Sequence, residues 1–343
     1  MHKTTLHIVL IVICVLLFQK YTPAQDIHFS NFYTNALHLN PALTGFFKGK
    51  YRLGVAFRDQ YRTVAVPYQT MTFTCDGKLS PARFGRQNMG LGLMLTYDIA
   101  GDSHFSTMQI GIPFAYHIKT YAKNWKFSGG ILPSVYTNAI DYTQLKFPDQ
   151  FDGIQYTPDI PTQENIIDKN LAYFNIGAGL FGMYTPNKKV RYGVGLAIYN
   201  ITQPNISFYS DNNIILPRRY LIHGLSHIEL RRDWDVIPAA KVQFQTTQHE
   251  YQFGATVLHY THSTRIPKIN AGIWFRARDK DAVILGIGGL VNGYNIILNY
   301  DINMSTLKTA SNGHGALELS ISYILTSLRR GNKKAPVKCP AYL

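Results

Sequence analysis

The 343-residue chain has only three cysteines, and no two of them form a Cys-x-x-Cys pair. A disulfide-dense secreted scaffold and a cysteine-ligated zinc module are therefore excluded. No Gly-x-Ser-x-Gly or His-Glu-x-x-His occurs, so no common hydrolase signature is present. Beyond residue 24 there is no apolar run long enough for a transmembrane helix, which needs roughly 18 or more residues. If the mature chain sits in a membrane, it does so as a closed barrel. Charged residues make up only 16% of the chain, and acidic ones are scarce: 20 Asp and Glu against 34 Lys and Arg, for a net charge of +14. The basic residues are scattered over turns and one face of the apparent strands, without a recognition-helix pattern. Nucleic acid is not an expected partner, and a basic pore or membrane-surface protein fits the distribution better.

The chain is rich in Tyr (23), Phe (19) and dispersed Gly (27), a β-rich profile that favours one large domain. At its start, His2 and Lys3 precede the apolar run Leu6 to Phe18 and then Thr22-Pro23-Ala24. This resembles a secretory signal peptide cleaved near Ala24/Gln25. Cys14 lies inside the apolar core without a lipobox context, so lipid anchoring is not expected. Only Cys75 and Cys339 survive processing; one bridge is open to them in an oxidising compartment, but the reading is two free thiols.

The most informative stretch runs from Ala282 to Met304. Alternate residues of a strand face opposite sides, and here Val283, Leu285, Ile287, Gly289 and Val291 share one parity. Asn292-Gly293 reads as a two-residue type I′ turn, which fixes the register. It pairs Val291 with Tyr294, Gly289 with Ile296, Ile287 with Leu298, Leu285 with Tyr300 and Val283 with Ile302, all on the apolar face. Asn295, Asn299, Asp301 and Asn303 fall on the other face, and a one-residue slip would exchange the two sets. Strands of about 9–11 residues with aromatic ends suit an outer-membrane barrel. A hairpin of a soluble β-sandwich shows the same alternation, so the hairpin alone leaves both open.

Fourteen such strands follow one another from about Tyr51 to Leu325, the fourth running unbroken from Met108 to Lys119 and the fifth from Trp125 to Tyr136. In the clearest of them the apolar parity carries no Lys, Arg, Asp or Glu, while the other parity carries charge freely, as a wet lumen requires. With the N-terminus in the periplasm, the odd connections face outward and include residues 138–169, 202–217 and 305–314. The even ones, such as residues 186–189, 231–233 and Asn292-Gly293, are short. Thr247-Gln248 is a very short outward turn between strands ending at Thr246 and starting at His249. The fold expected is all-β: a single antiparallel transmembrane β-barrel of about 14 strands. Its parts are a signal peptide (1–24), an N-terminal segment at or in the periplasmic barrel mouth (25–49), the barrel (50–326) and a basic periplasmic tail (327–343). The N-terminal segment lies across or inside the mouth, or packs outside as a lead-in. The tail contacts a partner or peptidoglycan, or is a solvated basic end.

His223, His227 and Glu229 share one face of a strand, but residues four apart in a strand are about 13 Å apart. They read as lumen-lining groups, not metal ligands. Gly286-Ile287-Gly288-Gly289 lacks the strand-to-helix context of a phosphate loop and reads as inward small residues.

Three places resemble the PorP/SprF family of type IX secretion outer-membrane proteins. The first holds Gln25, Asp26, Phe29, Ser30, Asn40, Pro41, Ala42 and Gly45, matching the family's Gln-Asp, Phe-Ser and Asn-Pro-Ala with Gly. The second is Arg58 and Gln60, where Asp59 and Tyr61 depart from the family's Arg-Asn-Gln-Trp. The third is Cys339 and Pro340, followed by the departures Ala341 and Tyr342. The resemblance implies an outer-membrane protein of a Bacteroidetes-type bacterium that assists secretion or surface anchoring of adhesin-like cargo through the cargo's C-terminal domain. Partners would be that domain, other type IX secretion components and outer-membrane lipid, with gliding motility among the processes served. It implies no cofactor, no metal and no enzymatic activity. The alternatives are an outer-membrane porin or hydrophobic-solute channel, and a soluble secreted β-sandwich adhesin.

Overall fold

The computed structural model describes residues 29–63, 66–79, 88–120, 124–142, 145–157, 160, 170–208, 213–277, 282–305 and 308–325. The signal-peptide and tail assignments lie outside the described residues. Fifteen strands form one antiparallel sheet: β1 (Tyr51–Gln60), β2 (Tyr68–Leu79), β3 (Asn88–Ala100), β4 (Phe105–Gly111), β5 (Phe114–Lys119), β6 (Trp125–Ala139), β7 (Asn170–Tyr184), β8 (Val190–Tyr199), β9 (Arg219–Arg231), β10 (Trp234–Gln245), β11 (Gln248–Tyr260), β12 (Lys268–Ala277), β13 (Ala282–Val291), β14 (Tyr294–Asn303) and β15 (His314–Leu325). β1 pairs with both β2 and β15, and β2 pairs with β3, which closes the sheet into a barrel without free edges.

The barrel has 14 staves because β4 and β5 share one. Both lie between β3 and β6, and the expected single strand is interrupted at Ile112-Pro113. Pro113 has no N–H to give the ladder, so regular pairing lapses there. The wall stays continuous: the Gly92 N–H donates to the Pro113 carbonyl at 2.9 Å and the Ile112 N–H to the Pro133 carbonyl at 3.0 Å.

All five residue pairs read from the β13–β14 sequence are present, and Asn292 and Gly293 both have positive φ (50° and 91°), as a type I′ turn needs. The β10–β11 turn differs by one residue: it is Thr246-Thr247, with Thr246 at φ 52°, because β11 already begins at Gln248. Connections alternate between a long-loop rim and a short-turn rim. The long-loop rim carries residues 140–169, 200–218 and 304–313; the short-turn rim carries residues 185–189, 232–233 and 292–293.

Burial alternates with sequence along the strands, and the exposed parity is apolar: Leu53, Val55 and Phe57 on β1, Leu285 and Ile287 on β13. This belt ends in exposed aromatics at each rim, with Tyr51, Trp125, Trp234 and Tyr294 on the short-turn side and Tyr68, Tyr97, Tyr220 and Tyr251 on the other. That is the surface of a transmembrane barrel, not of a soluble sandwich. Cys75 is a free thiol on the outward parity; Cys339 lies outside the described residues. Because the cost of charge falls off with depth, Ile287→Arg, at a mid-strand residue 65% exposed, should destabilise the barrel by about 2–4 kcal/mol and Val291→Arg, beside the turn, by about 0–1 kcal/mol. Urea unfolding in lipid bilayers measures both.

Candidate functional site

The buried residues of the N-terminal segment lie inside the barrel, against the polar parity of the strands. The segment descends from the level of Arg58 and Glu318, in the long-loop half, to Lys50 at the short-turn rim, where the Lys50 N–H donates to the Leu325 carbonyl at 2.8 Å. An irregular backbone there cannot rely on solvent for hydrogen bonds, and each buried polar group left unmatched costs free energy. The lumen wall supplies partners at three levels.

At the deepest level the Ser30 N–H donates to Glu318 Oε2 at 2.5 Å and the Asn31 N–H to Oε1 at 3.4 Å. Gln252 Nε2 donates to the Ser30 carbonyl, and Arg58 Nη1 donates to Ser30 Oγ. Arg58 and Arg276 each reach Asp301 Oδ2 at 3.0 Å, and Arg58 Nη1 lies 3.6 Å from Glu318 Oε2. Lys241 pairs with Glu250 at 2.6 Å. These charges are almost wholly buried, Arg58 at 2% exposure, so each ion carries a desolvation cost of several kcal/mol that only its partners offset. Just below, Phe32 and Tyr33 pack on Trp274 with ring centroids 5.6 and 5.0 Å away, and Tyr33 Oη bonds Thr256 Oγ1 at 2.6 Å.

At the middle level a short helical turn, Ala36–Leu39, leads into the Pro41–Leu43 3₁₀ turn. Asn40 caps that turn, its Oδ1 accepting the Ala42 N–H at 2.9 Å, with Pro41 at the first position where its missing N–H costs nothing. Asn40 Nδ2 donates to the Leu180 carbonyl (3.0 Å) and the Leu196 carbonyl (3.2 Å), and it lies 3.1 Å from His223 Nε2. Ser128 Oγ donates to the Ala42 carbonyl at 2.6 Å. The wall is small where the segment presses closest: a methyl at Gly130 would sit 2.5 Å from the Pro41 carbonyl carbon, and one at Gly179 would overlap Asn40 Oδ1.

Nearest the short-turn rim, Gly45 adopts φ +70°, which favours glycine, and its N–H donates to Asp76 Oδ2 at 2.6 Å. Arg52 holds Asp76 in a fork, Nε to Oδ1 and Nη2 to Oδ2, both at 2.9 Å. Phe46 packs on Phe181 and His117, with centroids 5.0 and 5.4 Å away.

Eight of the residues singled out in the sequence therefore lie along the buried segment and the wall it packs on. Phe29, Ser30, Asn40, Pro41, Ala42 and Gly45 are on the buried segment; Arg58 grips Ser30 and donates to Gln60 Oε1 at 3.2 Å. Gln25, Asp26, Cys339 and Pro340 lie outside the described residues. The two histidines are kept apart: His223 meets Asn40, and His227 pairs with Asp235 at 2.8 Å and with Arg191. Among the described residues no three His, Cys, Asp or Glu side chains are placed to hold a metal ion. The sequence reading missed Asp76, Glu318 and Trp274 as receptors for the segment; their only signal was charge and bulk on the inward parity.

The long-loop rim has a different character. In residues 140–169 a Phe151–Tyr156 bridge frames a tight tip in which Asp152 Oδ1 accepts the N–H of Ile154 (2.8 Å) and of Gln155 (2.7 Å). Those two donors hold the Asp152 carboxyl below the usual carboxylate range. The tip presents Phe151 and Ile154, the latter 90% exposed, and residues 200–218 add exposed Ile214 and Ile215 beside the Asn205–Ile215 bridge.

Removing one member of a buried charge network leaves its neighbours unmatched. Glu318→Ala should cost about 3 kcal/mol, toward the lower end for a broken buried pair because Arg58 keeps Asp301, and Glu318→Gln should cost less because an acceptor for Ser30 remains. Denaturant unfolding measures the cost, and amide exchange at Ser30 and Asn31 should quicken in the alanine variant first.

Comparison with known proteins bears on this arrangement. Toluene transporter TodX of Pseudomonas putida aligns over 87% of this chain and 94% of its own, at 10% identity and a TM-score of 0.52. The monoaromatic hydrocarbon channel CymD aligns over the same shares at 13% identity and 0.51. At such identities the likeness is one of fold. Comparison with curated proteins gives no match. The family model for the type IX secretion system membrane protein PorP/SprF, in contrast, matches residues 22–323, which takes in the buried segment and all of the barrel wall but Ile324 and Leu325. By that match the chain belongs to the PorP/SprF family of type IX secretion system membrane proteins.

Proposed function

We propose that this protein is an outer-membrane component of type IX secretion that works by holding protein, not by passing solute. In this reading the short-turn rim faces the periplasm and the long-loop rim the cell exterior. Residues 140–169 and 200–218 hold the C-terminal domain of a secreted, adhesin-like cargo, and other components of the system engage the barrel from the periplasmic side. The observation that carries the reading is the filled lumen beside an asymmetric pair of rims. Phe32, Tyr33, Leu37, Leu39 and Leu43 occupy the interior with Trp274 and Phe181, while exposed apolar side chains gather on the long loops. Exposed Phe and Ile on a braced loop tip are anchors of the kind protein interfaces use.

The alternative is a porin or hydrophobic-solute channel. It draws on the transport named for TodX and CymD, whose fold this chain resembles. A packed interior speaks against it, since a pore needs a continuous aqueous or apolar path.

A detergent pull-down from host outer membranes tests the proposal. The intact protein should recover a large secreted protein through that protein's C-terminal domain, and a variant with both loops replaced by short turns should lose most of it. Undiminished recovery by the loop variant would reject the loops as the holding site.

A further inference from the structure

The lumen is filled down to Gly45, but below that level, at the short-turn rim, a cavity of about 400 Å³ remains. Its floor is the end of the buried segment, Phe46 and Phe47, with Met183 beside them. Among the described residues its sides carry Lys48, Lys78, Lys126, Lys188 and Arg191 against one carboxylate, Glu229, an excess of four positive charges (five less one). Lys78 donates to the Phe47 carbonyl and Arg191 meets His227, which positions both at the cavity wall. Lys48 and Lys188 are exposed at its lip.

Such a concentration of like charge in a concave, partly apolar site repels itself, and a multiply charged anion relieves the repulsion. Two features narrow the ligand. First, Lys78, Lys126 and Arg191 lie on the inward parity of their strands, so a ligand must enter the mouth from water. Lipid headgroups lie on the other side of the wall, beside the outward Tyr51 and Trp125. Second, residues 327–343 hold no Asp or Glu side chain that could fill the site. The same rim carries Lys50, Lys189, Arg231 and Arg232 beside Asp233, and the sequence after residue 326 adds Arg329, Arg330, Lys333, Lys334 and Lys338. The Phe46, Phe47 and Met183 floor suits a peptide, which brings apolar atoms along with its carboxylates.

We propose that this mouth cavity binds an acidic peptide segment of a partner protein, its Asp or Glu side chains among Lys48, Lys126, Lys188 and Arg191. The site is on the rim opposite the long loops, so it stands or falls separately from the cargo reading.

The test uses the full mature chain in neutral detergent and fluorescein-labelled hexaglutamate, followed by anisotropy. Binding should be saturable, should weaken about tenfold or more between about 50 and 500 mM salt as screening shortens the Debye length, and should be absent for hexalysine. The double variant K48E/K188E, altered only at exposed lip residues, should lose at least tenfold in affinity while keeping the unfolding midpoint of the parent. A photo-crosslinking hexaglutamate should label residues 45–48 and 185–191. Equal affinity in the double variant, or labels confined to other parts of the rim, would overturn the proposal. So would displacement of the peptide by dihexanoyl phosphatidylglycerol at lower concentration than by unlabelled hexaglutamate, an outcome that would make the site one for lipid phosphate.

Discussion

The structure depends on the hydrogen bonding of an irregular backbone buried at membrane depth. Helices and closed sheets satisfy their own N–H and C=O groups; the segment from Phe29 to Phe47 does so only within its short turns and leaves the groups between them open. The groups its own turns leave open are met on the barrel wall: Glu318 and Gln252 for Ser30, Ser128 for Ala42, Asp76 for Gly45. Those wall groups are themselves held, Asp76 by Arg52 and Glu318 beside Arg58, so removing one weakens a network and not a single bond. The inward charges, which in an open barrel would line a water-filled channel, here form the socket of an internal plug.

Several local features follow. The wall must be thin where the plug is broad, which explains Gly130 and Gly179 opposite Pro41 and Asn40. It must be charged where the plug turns and aromatic where the plug is aromatic, as with Asp76 under Gly45 and Trp274 under Phe32 and Tyr33. Barrel and plug are thus one folding unit. Likeness of fold alone does not carry function over.

The barrel was largely legible in the sequence, because period-2 alternation with an uncharged apolar parity reports a wall with hydrocarbon on one side. The β13–β14 register followed from Asn292-Gly293 alone. The split of one stave at Ile112-Pro113 was not read, since inward and outward parity run through it unchanged and only the hydrogen-bond ladder registers the proline. The family motif drew attention to Ser30, Asn40 and Arg58, but their partners were invisible: Ser30 and Glu318 are 288 residues apart, and Ser30 and Gln252 are 222 apart. Polar residues inside a barrel look alike in sequence whether they meet water or a plug, so neither the socket nor the basic cavity below it had a local signature.

The central claim is that the plug makes this barrel a closed, protein-holding body. Single-channel recording in planar bilayers tests it most directly, with the intact protein measured beside a variant lacking residues 29–47. The account predicts a silent intact barrel and a steady conductance once the segment is removed. A steady open pore in the intact protein would contradict it and return the barrel to the channels it resembles.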